Sequence, residues 1–164
     1  MRFVAFDLET TGTLPGVDRI VEIGAVRMVN GEVDAVFSTL VDPLIPIPAG
    51  ASRVNGISDE MVAGKPKVEE LLGALTEFCG DDLMVAHNAA FDIGVLRAGL
   101  AAHGRAVPRF RYLCTRDVAR AAWPGEASYG LAAMAGKIGL AFGHHRPGGR
   151  GETACAAGAG AGGR

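Results

Sequence analysis

The sequence predicts one α/β domain built around a mixed five-stranded sheet with flanking helices. Three β-rich segments come first, at residues 2–8, 20–29 and 32–41, and strand-like and helix-like segments alternate after them. Strands followed by such an alternation are typical of a mixed sheet covered by helices. The length of 164 residues suits a single domain with a substantial core.

The first three strands are expected to form an antiparallel meander. Residues 2–8, RFVAFDL, are an apolar run that ends at a Thr-Thr-Gly turn signal. Only Asn30 and Gly31 separate the next two runs. Asn-Gly is the strongest short hairpin signal, because both residues tolerate a positive φ.

A long loop is expected next, over residues 42–58. This segment, DPLIPIPAGASRVNGIS, contains three prolines, which argue against regular structure. Loops of this length are usually functional or mobile.

Helices and strands are expected to alternate from residue 68 onward, with Ser128 as the N-cap of the last helix. The predicted helices cover 68–79, 90–104, 116–123 and 128–140, and the predicted strands cover 83–88 and 110–115.

Composition indicates a soluble globular protein. Hydrophobic residues make up 49% of the chain and charged residues 21%, and the formal net charge is −2. Overall charge therefore does not indicate a nucleic-acid partner, and any such binding has to come from a local site. The N-terminal apolar run is too short for a signal peptide or a membrane span, so a cytoplasmic location without a membrane is expected. Three cysteines without a CxxC pair favour free thiols.

Two acidic stretches are candidates for chemistry. In FDLETTG (6–12), Asp7 and Glu9 share one face of a strand while Phe6 and Leu8 share the other. Adjacent carboxylates repel each other, and a hard cation such as Mg²⁺ or Mn²⁺ relieves that repulsion; a solvated strand end is the alternative.

The second stretch, HNAAFD (87–92), marks the junction of a buried strand with a helix. It places Asp92 in the first helical turn, beside the inward-facing Phe91. An acid there also stabilises a helix N-terminus, so the residue alone leaves both interpretations open. His87 is assigned no chemistry.

Together these motifs resemble the DnaQ-like, or DEDD, family of 3′–5′ exonucleases, in its DEDDh subgroup. The resemblance rests on DLETTG (7–12), RIVEIGAV (19–26), HNAAFD (87–92), SYGLAAMAGKIGL (128–140) and the histidine pair at 144–145. It covers residues 2–148, and familiar members are the proofreading epsilon subunit of DNA polymerase III and ribonuclease T. Asn55-Gly56-Ile57 stands where relatives often have His-Gly-Ile.

The resemblance implies an RNase H-like fold and a metal-dependent exonuclease. Such an enzyme removes nucleoside 5′-monophosphates from the 3′ end of single-stranded DNA or RNA, alone or beside a DNA polymerase. Two divalent cations, Mg²⁺ or Mn²⁺, are held by four carboxylates, and a histidine deprotonates the attacking water. The implied metal ligands are Asp7, Glu9 and Asp92; the implied base is His145 or His144; the implied substrate contacts are Thr10, Asn55 and Phe91.

The chain departs from this family at its end. The fourth carboxylate is expected five residues after the histidine, where this chain has Gly149 or Arg150. The nearest acid, Glu152, comes two positions late. Domain 1–148 is therefore followed by an aberrant Gly/Ala-rich tail, 149–164, in place of the expected final helix.

Two explanations of the tail are open. Codons for glycine, arginine and glutamate, read one base later, can spell Asp-Ala-Glu from residue 149, so a frameshift near residues 147–149 would restore the missing acid. In the other explanation the tail is genuine and Glu152 is the fourth ligand. A catalytically impaired or inactive protein that binds nucleic acid or a partner is the alternative function.

Arginines offer candidate contacts for a nucleic-acid backbone. Arg109, Arg111 and Arg116 are either such contacts or a solvated surface cluster. The choice between DNA and RNA and the oligomeric state are undecided by the sequence.

Overall fold

The structure is a computed structural model that describes residues 1–140. Eleven helices and strands follow one another in this part of the chain. In chain order they are β1 (Arg2–Thr10), β2 (Ile20–Val29), β3 (Glu32–Leu40), α1 (Ala49–Asn55), α2 (Asp59–Val62), α3 (Val68–Cys79), β4 (Leu83–Ala86), α4 (Ala89–Ala102), β5 (Tyr112–Cys114), α5 (Thr115–Ala122) and α6 (Leu131–Lys137).

The five strands form one mixed sheet in the order β3-β2-β1-β4-β5. Strand β1 pairs antiparallel with β2, which pairs antiparallel with β3, whereas β4 lies parallel to β1 and β5 lies parallel to β4. Asn30 and Gly31 both have positive φ in the β2–β3 turn, as the hairpin signal requires. The predicted five-stranded sheet with an N-terminal meander is confirmed.

The central strand β1 separates a buried face from a more exposed one. Val4, Phe6 and Leu8 are buried, and the residues between them are only half-buried. The buried face packs against α3 and α4, and the cluster includes Leu72 and Leu96. This alternation follows from the two-residue period of a strand, and it places Asp7 and Glu9 together on the face away from that core.

The loop expected over residues 42–58 is partly helical, which corrects that prediction. Helix α1 begins directly after Pro48, the last of the three prolines, and has Pro48 as its N-cap. A proline before the first turn removes no helical hydrogen bond, because the first N–H groups have no partner within the helix. The prolines therefore end where the helix begins.

The last described helix starts later than expected. Gly130, not Ser128, is the N-cap of α6, and the Gly130 N–H donates to the Ser128 hydroxyl oxygen at 3.2 Å. Ser128 thus shapes the turn before the helix. The Gly/Ala-rich tail at 149–164 lies outside the described residues. Within residues 1–140, no helix combines the length and the apolar character that a membrane span needs.

Candidate active site at the carboxyl edge of the sheet

Three acidic residues meet where β1 and β4 end. Asp7 and Glu9 lie on the same face of β1, and Asp92 lies in the first turn of α4 with only 3% of its surface exposed. The Leu8 N–H donates a 3.0 Å hydrogen bond to Asp92 Oδ1, which fixes α4 against β1. Because β1 and β4 are parallel neighbours, their carboxyl ends lie at one edge, where α/β sheets usually bind ligands.

The electrostatics of this cluster show that the acids act on one another. Burial first, and then the charges of Asp7 and Glu22, raise the pKa of Glu9 to about 7. Burial likewise raises the pKa of Asp92 to about 7, with the Asp7 charge next in size and the Leu8 hydrogen bond opposing the shift. Full ionisation of the cluster near neutral pH therefore requires a compensating positive charge.

The donor chemistry of the cluster fits a hard divalent cation. Carboxylate oxygens are the ligands that Mg²⁺ and Mn²⁺ prefer. In residues 1–140, no three or more His, Cys, Asp and Glu side chains already form a ready metal-binding group. The three carboxylates lie close enough to interact electrostatically, but they do not form such a group by themselves. The other candidate site residues, His144, His145 and Glu152, lie outside the described part of the chain.

A fourth acid, Glu22, belongs to this neighbourhood and was not identified from the sequence. Glu22 lies directly opposite Glu9 in the β1–β2 register and is 8% exposed. Cross-strand partners share one face of an antiparallel pair. The Asn30-Gly31 turn in the sequence predicts only how β2 pairs with β3. The register of β1 against β2, which places Glu22 opposite Glu9, is known only from the structure.

Thr10 and Asn55 lie together beside the acids. Both are buried, and Asn55 Nδ2 donates to the Thr10 carbonyl oxygen at 3.3 Å. The Ile57 N–H donates to Asn55 Oδ1 at 3.0 Å. The Asn55 side chain therefore joins the end of α1 to the end of β1. Phe91 is partly buried against the main core, next to Asp92 in the chain.

The turn after β1 is fixed by Asp18, which sequence reasoning also missed. Its two carboxylate oxygens accept hydrogen bonds from the Thr11 hydroxyl at 3.2 Å and the Leu14 N–H at 2.8 Å. A Cβ at Gly12 would lie 2.5 Å from both of these oxygens. A side chain at Gly12 would therefore have to displace the Asp18 carboxylate that accepts these two hydrogen bonds.

His87 follows β4 and uses both ring nitrogens in the structure. Nε2 contacts the Tyr129 carbonyl oxygen at 2.8 Å, and Nδ1 contacts the Thr115 hydroxyl at 3.0 Å. A carbonyl only accepts, so Nε2 carries the proton. Burial lowers the pKa of His87, which favours the neutral ring. His87 joins β4 to α5 and to the turn before α6.

An apolar cavity of about 400 Å³ lies beside Asp7, between the exposed face of the sheet and helices α5 and α6. Leu140, the last described residue, is part of its wall. Its other lining residues are Phe3, Ala5, Phe6, Val85, Ala86, His87, Thr115, Val118, Ala119, Trp123, Leu131, Met134, Ala135 and Ile138. The cavity brings apolar surface up to the acidic cluster.

The three candidate arginines are separated by the sheet. Arg116 follows β5 at the carboxyl edge, and its guanidinium donates to Asn88 Oδ1 at 3.3 Å. Arg109 and Arg111 precede β5. Because β5 is parallel to β4, these two lie toward the opposite edge, so the expected group of three does not converge on the acids.

Known proteins that match this chain include DNA polymerases and exonucleases. A polymerase named DNA polymerase III PolC-type, from Clostridium perfringens, is 38% identical over 145 residues, which are 88% of this chain and 10% of that protein. The protein of the same name from Pediococcus pentosaceus is 35% identical over 144 residues, again 10% of its length. The chain thus spans about a tenth of the length of these relatives.

Solved structures match the fold. Exonuclease X, solved in complex with 5′-overhanging duplex DNA, has a TM-score of 0.69 and 31% identity, over 87% of this chain and 79% of that one. Exonuclease I of E. coli, solved with a dA16 oligonucleotide, has a TM-score of 0.75 at 19% identity, over 85% of this chain and 36% of that one. The RNase H-like fold that the resemblance implied is therefore confirmed.

A family model described as "Exonuclease" matches residues 4–147, which is most of the chain and includes all four acids of the cluster. The sheet, the position of the acids at its edge and these relatives agree. The chain therefore belongs to the exonuclease family, as its resemblance to the DnaQ-like 3′–5′ exonucleases indicated.

Proposed function

We propose that this chain is a metal-dependent 3′–5′ exonuclease that hydrolyses terminal phosphodiesters of single-stranded DNA or RNA and releases nucleoside 5′-monophosphates. The observation that carries the proposal is the meeting of Asp7, Glu9 and Asp92 at one edge of the sheet. Membership of the exonuclease family supports it. Burying mutually repelling acids costs stability, and a catalytic role accounts for keeping them together.

The proposed cofactors are two divalent cations, Mg²⁺ or Mn²⁺. Asp7, Glu9 and Asp92 would hold them through carboxylate oxygens, with Glu152 as the candidate fourth ligand. When bound, the cations supply positive charge that stabilises the attacking and leaving oxygens of the phosphodiester. Partly buried acids with pKa values of about 7 would release their protons when the cations bind.

The remaining roles belong to protonation and substrate contact. His145 or His144 would accept the proton of the attacking water, since a histidine titrates close to neutral pH. Thr10 and Asn55, where α1 meets β1, and Phe91, in the first turn of α4, would contact the terminal nucleotide. The apolar cavity is not needed for these roles.

We further propose that residues 1–148 are the exonuclease domain and that 149–164 are out-of-frame residues in place of a final helix. Seven glycines in the last seventeen residues argue against a helix there. Resequencing the gene across codons 146–152 tests this directly. An unambiguous uninterrupted frame would show that the tail is genuine.

The alternative is an impaired or inactive exonuclease-like protein that binds nucleic acid or a partner. Gly149 and Arg150, at the expected positions of the fourth carboxylate, favour it. Loss of one ligand can cost orders of magnitude in rate. The PolC-type relatives suggest a DNA polymerase as the partner in either case.

A cleavage assay separates the two functions. With Mn²⁺ and a 5′-labelled single strand, the enzyme should give a ladder that shortens by one nucleotide at a time from the 3′ end. Asp7→Asn should lower the rate by about a hundredfold or more, since it weakens cation binding. Asp81→Asn is the matched control, because this exposed residue lies before β4, at the opposite edge.

An unshortened strand that the wild-type protein still binds would support the inactive alternative. Equal rates for Asp7→Asn and the wild type would contradict the assignment of the acidic cluster as the active site.

A further inference from the structure

Arg116 is not explained by the helix in which it lies. It is the second residue of α5 (Thr115–Ala122), where the positive end of the helix dipole disfavours a cation. Arg120, in the last turn of the same helix, is in the favourable place and forms an ion pair with Asp117 at 3.3 Å. Its guanidinium also lies 5.7 Å from the centre of the Tyr129 ring. Within residues 1–140, the contacts of α5 therefore account for Arg120 but not for Arg116.

Arg116 also lacks an acidic partner within residues 1–140. Its side chain is half-buried, and the hydrogen bond that it forms there is to the neutral amide oxygen of Asn88. A neutral acceptor holds a guanidinium in place and leaves its charge uncompensated. A planar guanidinium with free N–H groups is suited to a phosphate, which it can bind with two parallel hydrogen bonds.

The contact with Asn88 places this charge near the acidic cluster. Asn88 is the N-cap of α4, in left-handed conformation, and Asp92 follows four residues later, about 6 Å along the axis. His87, the neighbour of Asn88, lies close to both Arg116 and Asp7. Burial and its bond to Tyr129 have the largest effects on the pKa of His87, and the Arg116 charge then lowers this pKa while the Asp7 charge raises it.

Topology makes Arg116 different from the other arginines near β5. Strands β1, β4 and β5 are parallel, so the residues after β5 lie at the same edge as Asp7 and Asp92. Arg111 lies before β5, at the other end of a strand about 10 Å long. Of these arginines, Arg116 is the one at the edge where a strand would reach the acids.

We propose that Arg116 is a substrate-binding residue whose guanidinium, held by Asn88, binds a backbone phosphate of the single strand close to its 3′ end. The inference rests on the proposed function and adds a phosphate contact to it. This contact lies on the β5 side of the acids, whereas Asn55 lies at the end of β1. Such a contact is independent of base sequence and weakens with salt, as phosphate contacts do. It also explains how a chain with net charge −2 binds a polyanion locally.

Binding measurements with Arg116→Gln and Arg120→Gln test the proposal. Anisotropy of a 5′-labelled oligothymidylate is followed over a range of salt concentrations, with Ca²⁺ replacing Mg²⁺ to avoid turnover. Arg116→Gln should weaken binding roughly three- to tenfold and reduce the slope of log K against log salt by about 0.7. Arg120→Gln removes the same charge from the same helix and should change neither quantity. Arg116→Lys, which keeps the charge, should retain most of the slope.

Neutral methylphosphonate linkages locate the contact. One such linkage near the 3′ end should weaken wild-type binding and add no further loss to Arg116→Gln, because both changes remove the same interaction. Additive losses at every linkage, or a salt slope unchanged by Arg116→Gln, would overturn the proposal. A lower melting temperature with an unchanged slope would likewise overturn it, since it shows that Arg116 only joins α5 to α4.

The outcomes also separate this inference from the proposed function. If the wild-type protein binds the strand and Arg116→Gln binds it equally well, the phosphate contact is wrong and the exonuclease assignment stands. If the wild-type protein binds neither the oligothymidylate nor an oligouridylate of the same length, both are wrong.

Discussion

At the scale of single residues, the ionised forms of Asp92 and Glu9 destabilise the metal-free protein. Each is a largely buried acid whose pKa is raised to about 7 by burial first and by neighbouring acids second. An acid with a raised pKa in the folded state binds protons more tightly there than in the unfolded chain. Its contribution to stability is full below the unfolded pKa, near 4, and is lost as the pH rises through 7.

The metal-free protein should therefore be less stable at pH 8 than Asp92→Asn, and the difference should shrink toward pH 5. Chemical denaturation in EDTA at several pH values measures it. Taking the difference between the two proteins removes the contribution of His87, whose lowered pKa acts in the opposite direction as the pH falls. Mn²⁺ should stabilise the wild type more at pH 8 than at pH 5, because protons compete with the cation.

A pH-independent difference between the two proteins would show that Asp92 titrates in the folded state as it does in the unfolded chain. Arg27→Gln serves as a control elsewhere in the sheet: the arginine pairs with Asp34 and Asp82 and lies opposite Val4, toward the start of β1 and away from the acids near its end. Its effect should not depend on Mn²⁺.

At the scale of helices and strands, the site depends on short connections between them. Asn55 joins α1 to β1 through the Thr10 carbonyl and also accepts from the Ile57 N–H. Asp18 closes the turn after β1 through Thr11 and Leu14. These contacts hold the end of β1, and hence Glu9, relative to α1 and to the turn that follows β1.

Asn55→Ala should lower the free energy of unfolding by about 1–3 kcal/mol, because it leaves a buried carbonyl and a buried N–H without their partner. Urea denaturation measures the loss. Val54→Ala is the matched control on the same helix: Val54 is 80% exposed, and its replacement should change stability by less than about 0.5 kcal/mol. A loss for Asn55→Ala no larger than that of the control would show that α1 is held by its apolar contacts alone.

At the scale of the whole molecule, the activity depends on whether the chain completes its ligand set. Arg150→Asp puts a carboxylate five residues after His145, and Gly149→Asp puts one five residues after His144. We expect one of them to raise the Mn²⁺-dependent rate by about tenfold or more. The variant with the larger gain identifies the histidine that acts as the base.

Arg150→Asn controls for the loss of positive charge and should not reproduce a gain seen with Arg150→Asp. If neither new aspartate raises the rate and Glu152→Gln abolishes it, Glu152 is the fourth ligand. The tail would then be genuine, and the frameshift hypothesis would be wrong.

Sequence reasoning predicted most of the fold, because its signals are local. Asn30-Gly31 defines its hairpin, and the strand alternation puts Asp7 and Glu9 on one face, whatever the rest of the chain does. The prediction of Ser128 as an N-cap was wrong, because its hydroxyl accepts from the Gly130 N–H in a turn and the helix begins only after Gly130. Helix α1 was missed because three prolines near its start concealed a short helix.

Periodicity, turn residues and motif order were enough to predict the sheet, the meander and the family. The groups that interact across the chain could be identified only from the folded protein: Glu22 lies opposite Glu9, Asp92 accepts from the Leu8 N–H, and Arg116 rather than Arg111 lies at the edge with the acids. The physical reason is that coupling between charges depends on separation and burial. Both are set by strand order and register, which bring together residues 84 or more positions apart, such as Leu8 and Asp92.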